Sequence, residues 1–501
     1  MSNHKNLSKL SAAGLLISLG IIYGDIGTSP LYVFKAIIGG STINEQLILG
    51  GLSCVFWTLT LQTTIKYVLI TLKADNKGEG GIFSLYSLVK RKSKWLIIPA
   101  IIGGCALLAD GIITPPITIS AAIEGLEIFY PGLQTIPIVL IIITVLFVIQ
   151  QFGTSLVGKA FGPIMFIWFT MMGVLGISYI VQYPIILKAL NPYYAYDLLI
   201  NSPGSLAILG AVFLCTTGAE ALYSDLGHCG RKNIRISWIY VKTCLLLNYF
   251  GQGVYLWQIQ GQLLDDRNPF YRMMPEWFLI FGISIATAAA VIASQALISG
   301  SFTLISEAVR LNIWPKVKIN YPSEEKGQLY VPSMNWLLWI GCVAVVYIFK
   351  RSEEMEAAYG LSITLAMLMT TILVAVYLRK KKYPSYIVAI FLVVYGSIEL
   401  LFFSGNILKF LHGGWFTVFI GAILFTVMWA WFNARKIKNR YLKFVEIEKY
   451  YDIITALSKD ETVPKFASQL VYLTSANFSS EIEAKIIYSI LQKKPKRADV
   501  Y

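Results

Sequence analysis

The chain has 501 residues, 56% of them hydrophobic and only 14% charged, whereas soluble domains carry roughly 25% charged residues. With apolar runs recurring at membrane-spanning length, that composition excludes a soluble globular protein and reads as a polytopic membrane protein. The net charge of +14 follows the loops between apolar runs, and no separate basic face is left for nucleic acid.

About twenty apolar residues cross a bilayer. Twelve such segments are expected, at 12–38, 47–71, 95–125, 133–151, 159–181, 205–226, 236–259, 275–309, 332–349, 355–378, 385–404 and 413–433. The first mimics a signal peptide, but no A-x-A-like site follows and the run continues through a break, so it is read as a retained span. Lys and Arg concentrate in alternate loops: six in Lys73–Lys94, three in Arg231–Arg235, four in Arg310–Lys326 and four in Arg379–Lys382. That asymmetry puts both termini in the cytoplasm. Lys66 and Lys242 fall near predicted cytoplasmic ends, where they are expected to snorkel. The six cysteines mostly fall in apolar runs without CxxC spacing, so neither a disulfide nor a metal site is implied.

Asn76–Leu88 (NKGEGGIFSLYSL) is Gly-rich but lacks a Walker Lys-Ser/Thr, so it reads as a cytoplasmic loop with an interfacial helix. After residue 433 the composition changes, with thirteen Lys/Arg, eight Asp/Glu and no long apolar run. VPKFASQLVYLTSA reads as a strand with its approach and SEIEAKIIYSILQKK as an amphipathic helix. The expected organisation is a transmembrane domain over 1–433 and the start of a cytosolic α/β domain over 434–501. The closing KKPKRADVY does not look like a natural finish, so that second domain is expected to be partial.

Inside the first segment, GIIYGDIGTSPLYVF (Gly20–Phe34) sets Asp25 among Gly24, Gly27 and Pro30. An ionised carboxylate at the centre of a bilayer helix costs about 2.5–3.5 kcal/mol. A broken helix frees carbonyls that are tolerable at depth only around a cavity or in protein. Together they read as an oxygen-rich notch for a small cation, with Thr28, Ser29 and Tyr32 as further donors. The alternative is that Asp25 or Thr28 caps the half-helix beginning near Pro30. In the third segment Asp110, Thr114 and Thr118 form one i, i+4, i+8 stripe beside Pro115 and Pro116. Hydroxyl bonding to i−4 carbonyls explains the threonines but not the acid. Glu124, near the outer end, is an accessory ligand or simply interfacial.

The sixth segment is interrupted at TTGAEALYSDLG (Thr216–Gly227), five spans after the first break. Matching interruptions in two five-span halves point to an inverted repeat with its site at midplane. There Thr217 and Glu220 are i, i+3 neighbours. Glu220 can take a proton outside and release it inside, or be a structural carboxyl; Asp225 is a cap or gate. Tyr359, opening YGLSITLAMLMTT, is by position an interface-belt aromatic.

Five segments, GIIYGDIGTSPLYVF, KADNKGEGGIFSLYSL, ADGIITPPITISAAIEGLE, TGAEALYSDLGHCG and YGLSITLAMLMTT, together resemble the signature segments of the KUP/HAK/KT family of potassium uptake proteins. The resemblance implies an all-α membrane protein with twelve helices in the LeuT-like arrangement of the amino-acid–polyamine–organocation superfamily. It implies plasma-membrane potassium uptake coupled to protons, with no cofactor, a bacterial source, a homodimer joined partly through cytosolic domains, and a possible regulatory nucleotide there. Carried onto matching positions, the potassium ligands are Asp25, Tyr32, Asp110, Thr114, Thr118, Thr217 and Tyr359, the proton carrier is Glu220, and Thr28, Glu124 and Asp225 are accessory. A potassium channel is the first rival, but no TVGYG-like loop occurs. An amino-acid transporter of the same fold is the second, and clustered acids repel a substrate carboxylate. An enzyme is not expected, since the three His are scattered and no nucleophile–base pair is visible.

Overall fold

In hydrocarbon every backbone N–H and C=O must be paired within its own segment, so the apolar runs wind into helices. The computed structural model describes residues 10–76, 78–152, 155–265, 267–322, 329–474, 476 and 478–501. Among the described residues ten helices are long and apolar enough to cross a membrane, from Glu45–Lys73 to Gly414–Lys438. The bent pair Ala12–Ile22 and Gly24–Leu31, with 69° between its halves, is a candidate eleventh. The segment expected at 236–259 is also helical, as Arg231–Gln258, but is too polar to join that count. Its polar residues face protein: Asn248 and Gln252 are buried, and Gln252 Nε2 donates to the Pro30 carbonyl at 3.0 Å.

The chain clusters into two units, Met1–Met428 and Trp429–Tyr501. In the first, the long helix Lys94–Ile128 packs against both Glu276–Arg310 and Ser352–Lys380, and Glu276–Arg310 also packs against the broken first span. Close approaches between helices use glycine, which has no side chain to keep backbones apart. A Cβ at Gly176, in helix Ser155–Ile180, would stand 2.1 Å from the Leu247 carbonyl oxygen of helix Arg231–Gln258. The piece expected at the membrane interface, Ile82–Val89, instead buries Ile82, Phe83 and Leu85 in protein. Gly103 and Gly104 of the third segment are where Ile82 and Phe83 are received.

In the second unit, Lys465–Gln469 pairs in parallel with Arg497–Val500, and Phe444–Glu446 pairs antiparallel with Glu481–Glu483. Helix Tyr451–Lys459 lies between the first two strands in sequence. The helix expected over SEIEAKIIYSILQKK starts only at Ala484, because its first residues alternate Glu481, Ile482, Glu483 and take the strand period.

Gly176→Val should overpack the Gly176–Leu247 crossing by about 1–3 kcal/mol. The check is a lower thermal unfolding midpoint in detergent than the wild type.

Candidate cation site

The first break is built in three steps. Helix Ala12–Ile22 stops at Tyr23, a short turn Gly24–Thr28 follows, and Ser29–Leu31 leads into helix Val33–Ile38. Gly24 lies against helix Glu276–Arg310, where a Cβ would be 2.6 Å from Ala293 Cα. None of the three helix starts after Tyr23 has a side-chain cap, so Asp25 is not used as one. The freed carbonyls are not left open, as the notch reading expected. Trp168 Nε1 donates to Gly27 O at 3.0 Å, Gln252 to Pro30 O, and Asn268 Nδ2 to Leu31 O at 2.8 Å. The Asp25 carbonyl accepts from Thr28 Oγ1 at 3.0 Å and Ser29 Oγ at 3.3 Å. Ligand oxygens at this break therefore come first from side chains.

The sixth span breaks in the same manner. Helix Ser205–Val212 passes through Phe213–Thr216 to Thr217, which is extended, and Gly218, which is left-handed at φ +84, before Ala219–Ser224 begins. Only a residue without a Cβ fits Gly218 twice over. Its φ is strained for L side chains, and a Cβ would stand 2.8 Å from Ile26 N and 3.2 Å from Asp25 Oδ2. The two breaks thus touch at the carboxylate of Asp25. Across the same contact the hydroxyls of Ser29 and Thr217 are 2.9 Å apart.

Around this contact the structure gathers most of the expected ligands. Tyr359 OH donates to Asp25 Oδ1 at 3.0 Å, and its ring meets Tyr32 edge-on with centroids 6.4 Å apart. Tyr32 OH is 3.4 Å from Ser29 Oγ. Thr114 Oγ1 donates to Asp110 Oδ1 at 2.9 Å, and the charges of Asp25 and Asp110 act on each other and on Tyr359. Asp25 Oδ2 and Thr118 Oγ1 are buried with no hydrogen-bond partner. A buried acceptor left unpaired costs about 1–3 kcal/mol, so such oxygens mark where something else is held. Among the described residues no salt bridge reaches Asp25, Asp110 or Glu220.

Glu220 is buried two residues past Gly218, and Tyr67 OH donates to its Oε1 while its Oε2 has no partner. A cavity of about 50 Å³ runs between Asp110, Gly218, Glu220, Ser224, Asp225 and Ser301, room for a few waters. Asp225 stands at its far end, between Ala219–Ser224 and Leu226–Cys229. Two expected accessories are engaged otherwise: Thr28 bonds backbone, and Glu124 holds the start of helix Ser352–Lys380. There Ser352 N donates to Glu124 Oε1 at 2.7 Å and Ser352 Oγ donates to Oε2.

Lys66 does not snorkel. It is fully buried and ion-paired with Glu399, in a stretch, Leu59–Ile70, wound as a π-helix: nearness to a span end did not show that a buried carboxylate from the eleventh segment would meet it. Lys242 is half-buried, donating to Thr60 Oγ1 at 2.9 Å. Sequence reasoning missed Tyr67, the donor to Glu220. A lysine and tyrosine side by side in one apolar segment were the available signal.

The sequence model of the K+ potassium transporter integral membrane domain matches residues 12–436. The chain belongs to the KUP/HAK/KT potassium transporter family. A probable potassium transport system protein Kup of Flavobacterium johnsoniae is 62% identical over 510 residues, covering 100% of this chain and 78% of that protein. Its namesake in Clostridium perfringens is 53% identical over 519 residues, with coverages of 100% and 78%. Among solved structures, a mutant of the manganese transporter of Eremococcus coleocola is similar over 88% of this chain and 96% of that one, at 12% identity and a TM-score of 0.46.

For this KUP family member, Gly218→Ala should cut rubidium uptake into proteoliposomes by about tenfold or more, the factor that roughly 1.4 kcal/mol of strain carries. Glu124→Ala should instead lower the thermal midpoint and leave uptake per folded molecule unchanged.

Proposed function

We propose that this chain takes up potassium across the plasma membrane by alternating access, with one proton carried alongside on Glu220. The observation that carries the reading is Asp25 Oδ2: a carboxylate oxygen buried at the contact of two broken helices, with no hydrogen-bond partner and no cation of the protein's own beside it. A potassium ion that sheds its water there meets the side-chain oxygens of Asp25, Tyr32, Asp110, Thr114, Thr118, Thr217 and Tyr359. Its charge offsets the carboxylates that hydrocarbon otherwise penalises.

The reading takes Arg231–Gln258 as a twelfth span and the breaks of spans one and six as counterparts in two inverted five-span halves. Loop charge then places both termini inside. In that orientation the cavity from Asp110 to Asp225 leads toward the cytoplasm. On the outer side Tyr32 and Tyr359 close over Asp25, and Lys35 forms an ion pair with Glu353 at 3.0 Å above them. The arrangement is that of a carrier closed outside with its inner path beginning to form. Rocking of spans one, two, six and seven would exchange the two closures.

A proton has a clear use. Each positive charge moving inward gains about 2.3 kcal/mol per 100 mV, so one proton with one potassium doubles the electrical drive and adds the pH gradient. Glu220 suits the task because one oxygen is fixed by Tyr67 while the other, Oε2, is unpaired beside the cavity.

The test is rubidium uptake into proteoliposomes with lumenal pH read at the same time. Wild type should acidify the lumen as rubidium enters. Asp25→Asn should lower uptake by at least about tenfold, since an interaction with a charged partner worth about 1.5–3 kcal/mol is lost. Glu220→Gln should admit rubidium, if at all, without acidification; acidification at the wild-type ratio would refute the coupling.

A further inference from the structure

Glu220 does not face a plain apolar wall. Tyr67 OH donates to it, and Lys66 Nζ donates to the oxygen of that same hydroxyl at 3.2 Å. Lys66 is also bonded to Glu399 and, at 3.2 Å, to the Met367 carbonyl. Thr371 Oγ1 completes the set, donating to Glu399 Oε2 at 2.7 Å. All of these side chains are buried, and they come from four segments: the second (Lys66, Tyr67), sixth (Glu220), tenth (Thr371) and eleventh (Glu399). One ammonium thus stands between two carboxylates, touching Glu399 directly and Glu220 through one phenol.

A buried ion pair is weak evidence of stability, because apolar residues of similar size often replace one at no loss. A lone carboxylate that must lose its proton in the interior is a different matter, since its charge has to be balanced at that moment. We propose that Lys66 is the counter-cation shared by Glu399 and Glu220, with Tyr67 passing its charge to Glu220 so that Glu220 can release and retake a proton in the membrane interior. The inference rests on the reading that Glu220 carries the proton.

The proton accounting is simple. Tyr67 donates to Oε1, so the exchangeable proton sits on Oε2, the oxygen without a partner. That O–H bond forms with a proton from the outer water and breaks toward water on the inner path. Lys66, Tyr67 and Glu399 keep their protonation throughout. With Glu220 protonated, the ammonium balances Glu399; with Glu220 ionised, it is drawn through Tyr67 toward both. Among the described residues the other charged or titratable groups beside Glu220 are Asp110, across the cavity from the third segment, Asp225, along the same cavity, and Tyr223, one turn on in its own helix. None of them supplies a positive charge. Lys66, Tyr67 and Glu399 are positioning residues, since none of them holds the transported ions.

The structure dictates opposite signs for the two halves of the pair. Removing the ammonium (Lys66→Met) leaves an ionised Glu220 unbalanced, so its proton leaves only at higher pH. Removing its other partner (Glu399→Gln) gives the whole ammonium to Glu220, so its proton binds only at lower pH. Removing both restores a neutral neighbourhood. Tyr67→Phe, which keeps the ion pair and cuts the link, should act like Lys66→Met.

The experiment is the pH profile of rubidium uptake by the reconstituted full chain, beside rubidium/potassium counterflow at fixed pH as a measure of folded carrier. Expected is an alkaline shift of the midpoint for Lys66→Met and Tyr67→Phe and an acid shift for Glu399→Gln, each of at least about one pH unit, the scale of a neighbouring charge. The Lys66→Met/Glu399→Gln double variant should return to within about half a unit of wild type. Midpoints that stay put, or shift the same way in both single variants, overturn the proposal. If the single charge variants lose counterflow altogether, Tyr67→Phe and the double variant decide by the same criterion. A Glu220→Gln variant with the wild-type pH profile would sink the proton-carrier reading itself; loss of the profile there, with fixed midpoints in the Lys66, Tyr67 and Glu399 variants, would sink this inference alone.

Discussion

Gly218 and Asp25 meet where two helices are interrupted, and the rest of the site is arranged by that contact. Gly218 has no Cβ, takes a left-handed turn, and lets the sixth segment come within van der Waals distance of the Asp25 carboxylate and the Ile26 amide. Unwound backbone inside hydrocarbon is tolerable only where protein pairs its polar groups. Here Trp168, Gln252 and Asn268 each give a hydrogen to a carbonyl of the first break. Tyr23 anchors its start by donating to the Ile234 carbonyl at 2.6 Å. Gln252, one of the polar residues that make helix Arg231–Gln258 a poor membrane span by composition, is thus one of the donors that hold the first break.

That scaffold settles what kind of oxygens the site offers. With the break's carbonyls already holding donors, carboxylate, phenol and hydroxyl groups face the contact, and two of their oxygens have no partner. Side-chain oxygens can shift by a rotamer as a cation arrives or leaves, whereas a carbonyl moves only with its helix. In the proposed cycle, a site that fills and empties gains from that difference.

The parts legible in the sequence were those whose chemistry is local. GDIGTSP announces a break because glycine, acid and proline fall within seven residues, and Asp110, Thr114 and Thr118 announce a stripe because the helical period is regular there. Thr217 and Glu220 were found beside their glycine for the same reason. What stayed hidden depends on partners far along the chain. Tyr359 sits 334 positions from the carboxylate it donates to, and position alone read it as an interface aromatic; only the family resemblance moved it into the site. Glu124 looked like a stray acid until Ser352, 228 positions away, took both its oxygens. Lys66 was expected to snorkel from its nearness to a span end, and its partner Glu399 lies 333 positions away.

The buried acids fall into two electrostatic kinds, and the division follows what each can do. Glu399 with Lys66, and Glu356 with Lys409 at 3.0 Å, carry a cation supplied by the protein itself. Such a pair is balanced within the protein and calls for no outside ion. Among the described residues Asp25 and Asp110 have no such partner, and in the proposed reading their charge is met by the transported ion. Glu220 lies between the kinds, one phenol away from a lysine already engaged. In the proposed cycle that intermediate placement keeps both uptake and release of a proton by Glu220 within reach.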